Sequence, residues 1–168
     1  MALNYPRNGL NHVGAYQVSA IPFVTSSVPN EVPGPDSNSL SKPITVTFPF
    51  VTRFLTVRNT GPHDMRIGFS QDGIIAPGER LASENSDKAP DLTRNYFILP
   101  SSGSVHQPGS TQTFEIRCKA VHFLTDVAES TDGTSNGTSS FTLLAGLTSI
   151  ESTQFPVLSS SNGFGGIG

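Results

Sequence analysis

The chain has 168 residues and a mass of 17.8 kDa, enough for one domain that buries roughly 70% of the surface its unfolded form exposes. Its formal net charge of −3, with basic residues spread along the chain, excludes a dominant phosphate-binding surface, because nucleic-acid affinity rests on clustered cations. The lack of any run of about 18 apolar residues excludes a helical membrane span, and a single cysteine, Cys118, excludes an internal disulfide.

Charged residues make up only 14% of the chain, which is low for a free monomer and predicts a surface partly covered by partners. Phe dominates the aromatic residues, and 16 Gly and 13 Pro supply many breaks, as expected of short strands joined by turns. The opening MALNYPRNGL lacks the charged-then-apolar layout of a secretory signal, so the expectation is a protein made and kept in a reducing compartment.

Residues 1–41 carry three charges, Arg7, Glu31 and Asp36, and one apolar cluster, Tyr16–Val24. Such a segment buries too little apolar area to offset its own ordering entropy. It is expected to be an extended N-terminal arm that docks on a neighbouring subunit through Tyr16, Val18, Ile21 and Phe23. A flexible tail, or a strand added to the domain's own sheet, is the alternative. The turn cluster Val32–Asp36 marks the boundary of the arm.

A β domain is predicted over 42–158. In Pro43–Asn59, Ile44, Val46, Phe48 and Phe50 alternate with Thr45, Thr47 and Pro49; a period of two puts the apolar side chains on one face of a strand. Pro49 removes a ladder donor, which predicts two strands or one bulged strand, with a face switch at Phe50–Phe54 serving a corner. Met65–Phe69 reads as a short strand and Tyr96–Leu99 as a buried one, with an exposed loop over Ala76–Thr93 between them. Gln112–Lys119 alternates, with Phe114, Ile116 and Cys118 inward and Thr113, Glu115, Arg117 and Lys119 outward. Ala120–Asp126, Ser140–Ala145 and Thr148–Val157 complete a set of seven or eight strands, and Glu129–Ser140 forms a loop around Asn136-Gly137. The tail 159–168, rich in Gly and Ser, is flexible by composition. The expected fold class is all-β: an antiparallel β-sandwich, with a single jelly roll ahead of an immunoglobulin-like arrangement.

No stretch announces catalysis. Gly163–Gly168 matches G-x-G-x-x-G literally but opens no helix on which a pyrophosphate could rest. Cys118 and His122 sit four apart, which on one strand face separates them by about 13 Å and activates no thiol. The histidines His12, His63, His106 and His122 are scattered, and the acids Asp64, Asp72, Glu79, Glu84, Asp87 and Asp91 read as loop carboxylates. The sequon Asn136-Gly-Thr138 reads as a tight turn rather than a glycan acceptor. No catalytic residue, cofactor or metal is assigned. Arg53, Arg58, Arg66 and Arg117 fall on outward positions, where a planar guanidinium suits an interface as well as it suits solvent.

The arm Gly14–Ser27 (GAYQVSAIPFVTSS) and the block Phe48–Asn59 (FPFVTRFLTVRN) resemble small single-jelly-roll capsid proteins of large icosahedral double-stranded DNA viruses, such as those infecting algae. The resemblance spans Tyr16–Pro156 and carries no catalytic residue with it. It implies a structural protein of the virion, made in the host cytoplasm. Members form the pentameric vertex, or penton, or sit as minor capsid proteins beneath the major capsid lattice. A homopentamer in contact with major and minor capsid proteins is therefore expected. A carbohydrate- or receptor-binding β-sandwich module is the alternative, with Tyr96, Asn95 and Asp91 as its one candidate cluster; an enzyme of the cupin type would need His63, His106 and His122 to converge.

Overall fold

A computed structural model describes residues 21–28, 32–34, 43–70, 73–74, 95–101, 110–126 and 137–155. Its strands are β1 (Ile21–Ser26), β2 (Ile44–Thr47), β3 (Phe50–Asn59), β4 (Met65–Gly68), β5 (Tyr96–Leu99), β6 (Thr111–Phe114), β7 (Ala120–Thr125) and β8 (Phe141–Glu151), followed by a 3-10 turn at Ser152–Gln154. They form two four-stranded sheets, ordered β1-β8-β3-β6 and β2-β7-β4-β5. Every pairing is antiparallel.

The registers explain the core. Across the first sheet Phe23, Ala145, Leu55 and Phe114 stand in one row. Across the second, Ile44, Phe123, Ile67 and Phe97 do the same. Both rows point between the sheets, where Leu55, Ile67, Phe123 and Ala145 are fully buried in one cluster. Phe123 stacks on Phe141 of the opposite sheet, ring centroids 4.0 Å apart. Each row ends in an aromatic contact that closes one side of the sandwich. Phe23 meets Phe48 edge to face at 5.3 Å, and Phe97 meets Phe114 in the same way at 5.4 Å.

The corner expected near Pro49 is present. The chain leaves the second sheet after Thr47 and enters the first at Phe50, and the β3–β8 register shifts between Phe50 and Thr52 and again between Thr52 and Phe54. Residues 115–119 make the reverse crossing, and the two crossings bond to each other: Phe48 N–H donates to the Lys119 carbonyl at 2.9 Å and Thr52 N–H to the Cys118 carbonyl at 3.0 Å. The strand predicted over Gln112–Lys119 therefore stops at Phe114, because the backbone beyond it is committed to the corner. Inward and outward positions still alternate there: Ile116 is half-buried and Cys118 buried, while Glu115 and Arg117 are exposed.

Other expectations are corrected. Ile21–Ser26 is a strand of the chain's own first sheet, paired along its length with β8, so this part of the predicted arm is the alternative weighed for it. Val32, expected at a boundary turn, is fully buried in the core and exchanges two 3.0 Å backbone bonds with Ser139. Tyr96–Leu99 is an edge strand in which Phe97 and Ile98 are exposed and only Leu99 is buried. The two strands predicted after Ser140 are one 11-residue strand, β8. Tyr16, Val18, the Ala76–Thr93 loop, Asn136 and the tail 159–168 lie outside the described residues.

Two glycines permit close approaches. A Cβ on Gly61 would stand 2.1 Å from Ser139 Oγ and 2.5 Å from the Ser140 nitrogen; one on Gly68 would stand 2.9 Å from Ile74 Cβ. Ile74, fully buried, thus lies directly over Gly68 on β4.

Candidate functional site

The reactive side chains are held in structural roles. The Cys118 thiol lies 3.3 Å from Thr52 Oγ1, and burial, opposed by that contact, pushes its pKa up to about 11. A thiol so placed is a poor nucleophile. His122 was expected to share a strand face with Cys118. Instead, Cys118 packs in the core with Val121 and Phe123, while His122 occupies the opposite face beside Thr45, its register partner. The bend at Lys119 changes the parity between them. His122 Nδ1 is 2.8 Å from Thr45 Oγ1, and burial holds its pKa below the usual histidine value.

Arg66 is the clearest departure from the expected surface. It stands on the outer face of β4 as expected, yet that face is covered: it is 4% exposed, with Nε 2.6 Å from Asp126 Oδ1. Its guanidinium lies 4.7 Å from the Tyr96 ring centroid, an arrangement that suits a desolvated cation. Tyr96, the aromatic of the candidate carbohydrate- or receptor-binding cluster, is half-buried and has its ring occupied by the chain's own arginine; Asp91 lies outside the described residues.

His63 and Asp64 serve the turn after β3. Asn59 Nδ2 donates to the carbonyls of His63 at 2.9 Å and Leu99 at 3.2 Å, while Asn59 Oδ1 accepts from Gly61 N–H at 3.0 Å and Ser139 Oγ at 3.1 Å. Asp64 Oδ1 accepts from Ser101 N–H at 2.6 Å. Nothing in the sequence around Asn59 marks it as a hub, since besides its own turn its side chain bonds to two distant segments, at Leu99 and at Ser139. Among the described residues no three His, Cys, Asp or Glu side chains gather as metal ligands, and no helix is long and apolar enough to cross a membrane. His106 is outside the described set.

The surface is more informative. On the outer face of the first sheet, Val24, Leu144, Thr56 and Thr113 stand in one register row. Thr56 and Thr113 hydroxyls bond at 2.9 Å, and Val24 is 68% and Leu144 41% exposed. Of the four arginines weighed as interface candidates, Arg53, Arg58 and Arg117 are exposed. Of the arm anchors, Phe23 is half-buried against Phe48, and Ile21 is half-exposed at the sheet margin. The arrangement offers apolar and hydroxyl-bearing surfaces suited to protein contact. Compared with protein-family models, with curated proteins and with solved structures, the chain matches none.

Proposed function

We propose that this chain is a capsid structural protein, a single jelly roll whose copies close the fivefold vertex of an icosahedral shell. The observation that carries the reading is the strand order. In β1-β8-β3-β6 and β2-β7-β4-β5, β1, β3, β6 and β8 belong to one sheet, and β2, β4, β5 and β7 to the other. This interleaving supports two nested Greek keys, the winding of a jelly roll, an architecture used by viral shells, lectins and cupins.

Within that group, three features favour the shell. The chain is poor in charge, its sandwich exposes apolar side chains on both of its sides, and two of its stretches resemble algal-virus capsid proteins. The lectin-like alternative draws less support, because its candidate aromatic, Tyr96, is already covered by Arg66. The task is mechanical and uses no cofactor: identical subunits meet through one repeated contact whose rotation closes the ring. Residues preceding β1 would tie each copy to a neighbour or to major and minor capsid proteins.

Quantitative mass spectrometry of purified virions containing the chain, combined with labelling of the chain for electron microscopy, tests the reading. Five copies at each fivefold vertex are expected. Label distributed under the facets would instead mark a minor cement protein, and absence from the particle would end the proposal.

A further inference from the structure

The four edge strands of the sandwich, IPFVTS, ITVT, YFIL and TQTF, contain no charged residue. Among the described residues, the charges carried by strands are on the central ones: Arg53 and Arg58 on β3, Arg66 on β4 and Glu151 on β8, with titratable His122 on β7. This inverts the usual placement, in which Lys and other charges on edge strands prevent edge-to-edge pairing. The margins of this sandwich are built to be covered.

The ladder shows what those margins offer. Ser27 N–H donates to the Phe141 carbonyl at 3.0 Å, so by alternation Phe23 and Thr25 turn their backbone groups to β8, while Pro22, Val24 and Ser26 turn theirs outward. Pro22 has no N–H to present there, leaving Val24 and Ser26 as complete donors and acceptors. At the other margin Asn59 N–H donates to the Ser110 carbonyl at 3.0 Å, which turns Thr111 and Thr113 outward. Three antiparallel steps separate β1 from β6, so the two run antiparallel. A second copy set alongside in the same orientation brings its β6 antiparallel to β1.

The side chains match this arrangement. Ile21 and Val24 are 50% and 68% exposed on the edge strand at one margin, with Leu144, 41% exposed, beside Val24 on the adjoining outer face; Phe69, Phe97 and Ile98 are 38%, 56% and 40% exposed at the other. Phe69 and Phe97 are both set edge to face against Phe114, which fixes them before contact. Each group leaves on the order of 250 Å² of apolar surface bare, the size of the apolar centre of a standard contact of about 800 Å² per partner.

We infer that the β1/β2 side of one copy docks against the β5/β6 side of the next, a head-to-tail contact that uses both margins once and so propagates around a ring. This rests on the vertex reading and identifies the surfaces that make it. A self-complementary dimer would cover one margin and leave the other open.

The test puts back the missing edge charge. Val24→Lys and Phe97→Lys are each purified as the full chain and weighed by light scattering beside the wild type, with circular dichroism melts to verify folding; Gln112→Lys, at an exposed β6 position, replaces Phe97→Lys if that variant melts early. The wild type is expected to form rings and each variant to run as a monomer. An equimolar mixture of the Val24 and Phe97 (or Gln112) variants retains one intact pair of margins and is expected to stop at dimers. Rings that persist in either variant, or a mixture that stays monomeric, overturn the docking while leaving the vertex reading intact. A wild type that is itself monomeric overturns both.

Discussion

The side-chain oxygen of Thr52 accepts the Cys118 N–H at 2.9 Å and is 2.9 Å from the Ile116 carbonyl, to which it donates. One hydroxyl therefore joins the two places where the chain changes sheets. Thr52→Val keeps the shape and leaves a buried N–H without its acceptor, a loss of about 1–3 kcal/mol, whereas Thr52→Ser should lose less than half as much. Urea titrations of the three proteins provide the comparison.

The same corner shields the thiol. With its pKa pushed up to about 11, Cys118 at pH 8 holds a thiolate fraction roughly a hundredfold below that of an ordinary cysteine. Labelling with a disulfide reagent should be at least tenfold slower in the native chain than in urea. Equal rates would show that the corner opens freely.

The covered outer face of the second sheet rests on Arg66 and Asp126. Asp126→Asn removes the negative charge beside a buried guanidinium and should cost about 3 kcal/mol or more, while Arg66→Met, which removes the positive charge itself and keeps the aliphatic stem, should cost less. Thermal melts order the two variants, and a milder effect of Asp126→Asn would contradict the pairing.

Packing around the two glycines gives a graded expectation. Gly68→Ala presses on Ile74, a side chain that can shift, at about 1–2 kcal/mol. Gly61→Ala presses on the Ser140 backbone nitrogen and should cost more, about 2–3 kcal/mol or greater. Denaturant midpoints of both variants check the order.

His122 makes stability depend on pH. Its folded pKa lies below its unfolded value near 6.5 because burial disfavours the charged ring, so the unfolded chain takes up a proton first as pH falls. Stability is fully present above about pH 6.5 and is lost as pH drops from there through the folded pKa. Subtracting melting curves of His122→Gln from those of the wild type between pH 7.5 and 5 should isolate a wild-type loss on the acid side. No difference in slope would remove His122 as the cause.

Much of this was legible in the sequence. The alternation in Ile44–Phe50 and the break at Pro49 define two strands and a corner from local chemistry alone, and the apolar content of Ala120–Asp126 marks the strand that becomes β7. What escaped depends on distant segments. β1 looks like an arm because IPFVTS has little to bury alone; its partner, β8, begins more than a hundred residues later. β8 reads as two strands because its alternation stops at Ala145–Thr148, all buried where β3 bulges against it. A period of two gives Arg66 a face but does not show that Ile74 and Asp126 cover it, and it cannot register the bend at Lys119 that sends Cys118 and His122 to opposite sides.

The most direct measurement is the mass of the purified full-length chain by multi-angle light scattering across a concentration series. The account predicts a species of five times the 17.8 kDa chain mass that grows with concentration and dissociates when Val24 is replaced by Lys. A mass that remains at one chain, or halts at two, throughout the series would contradict it.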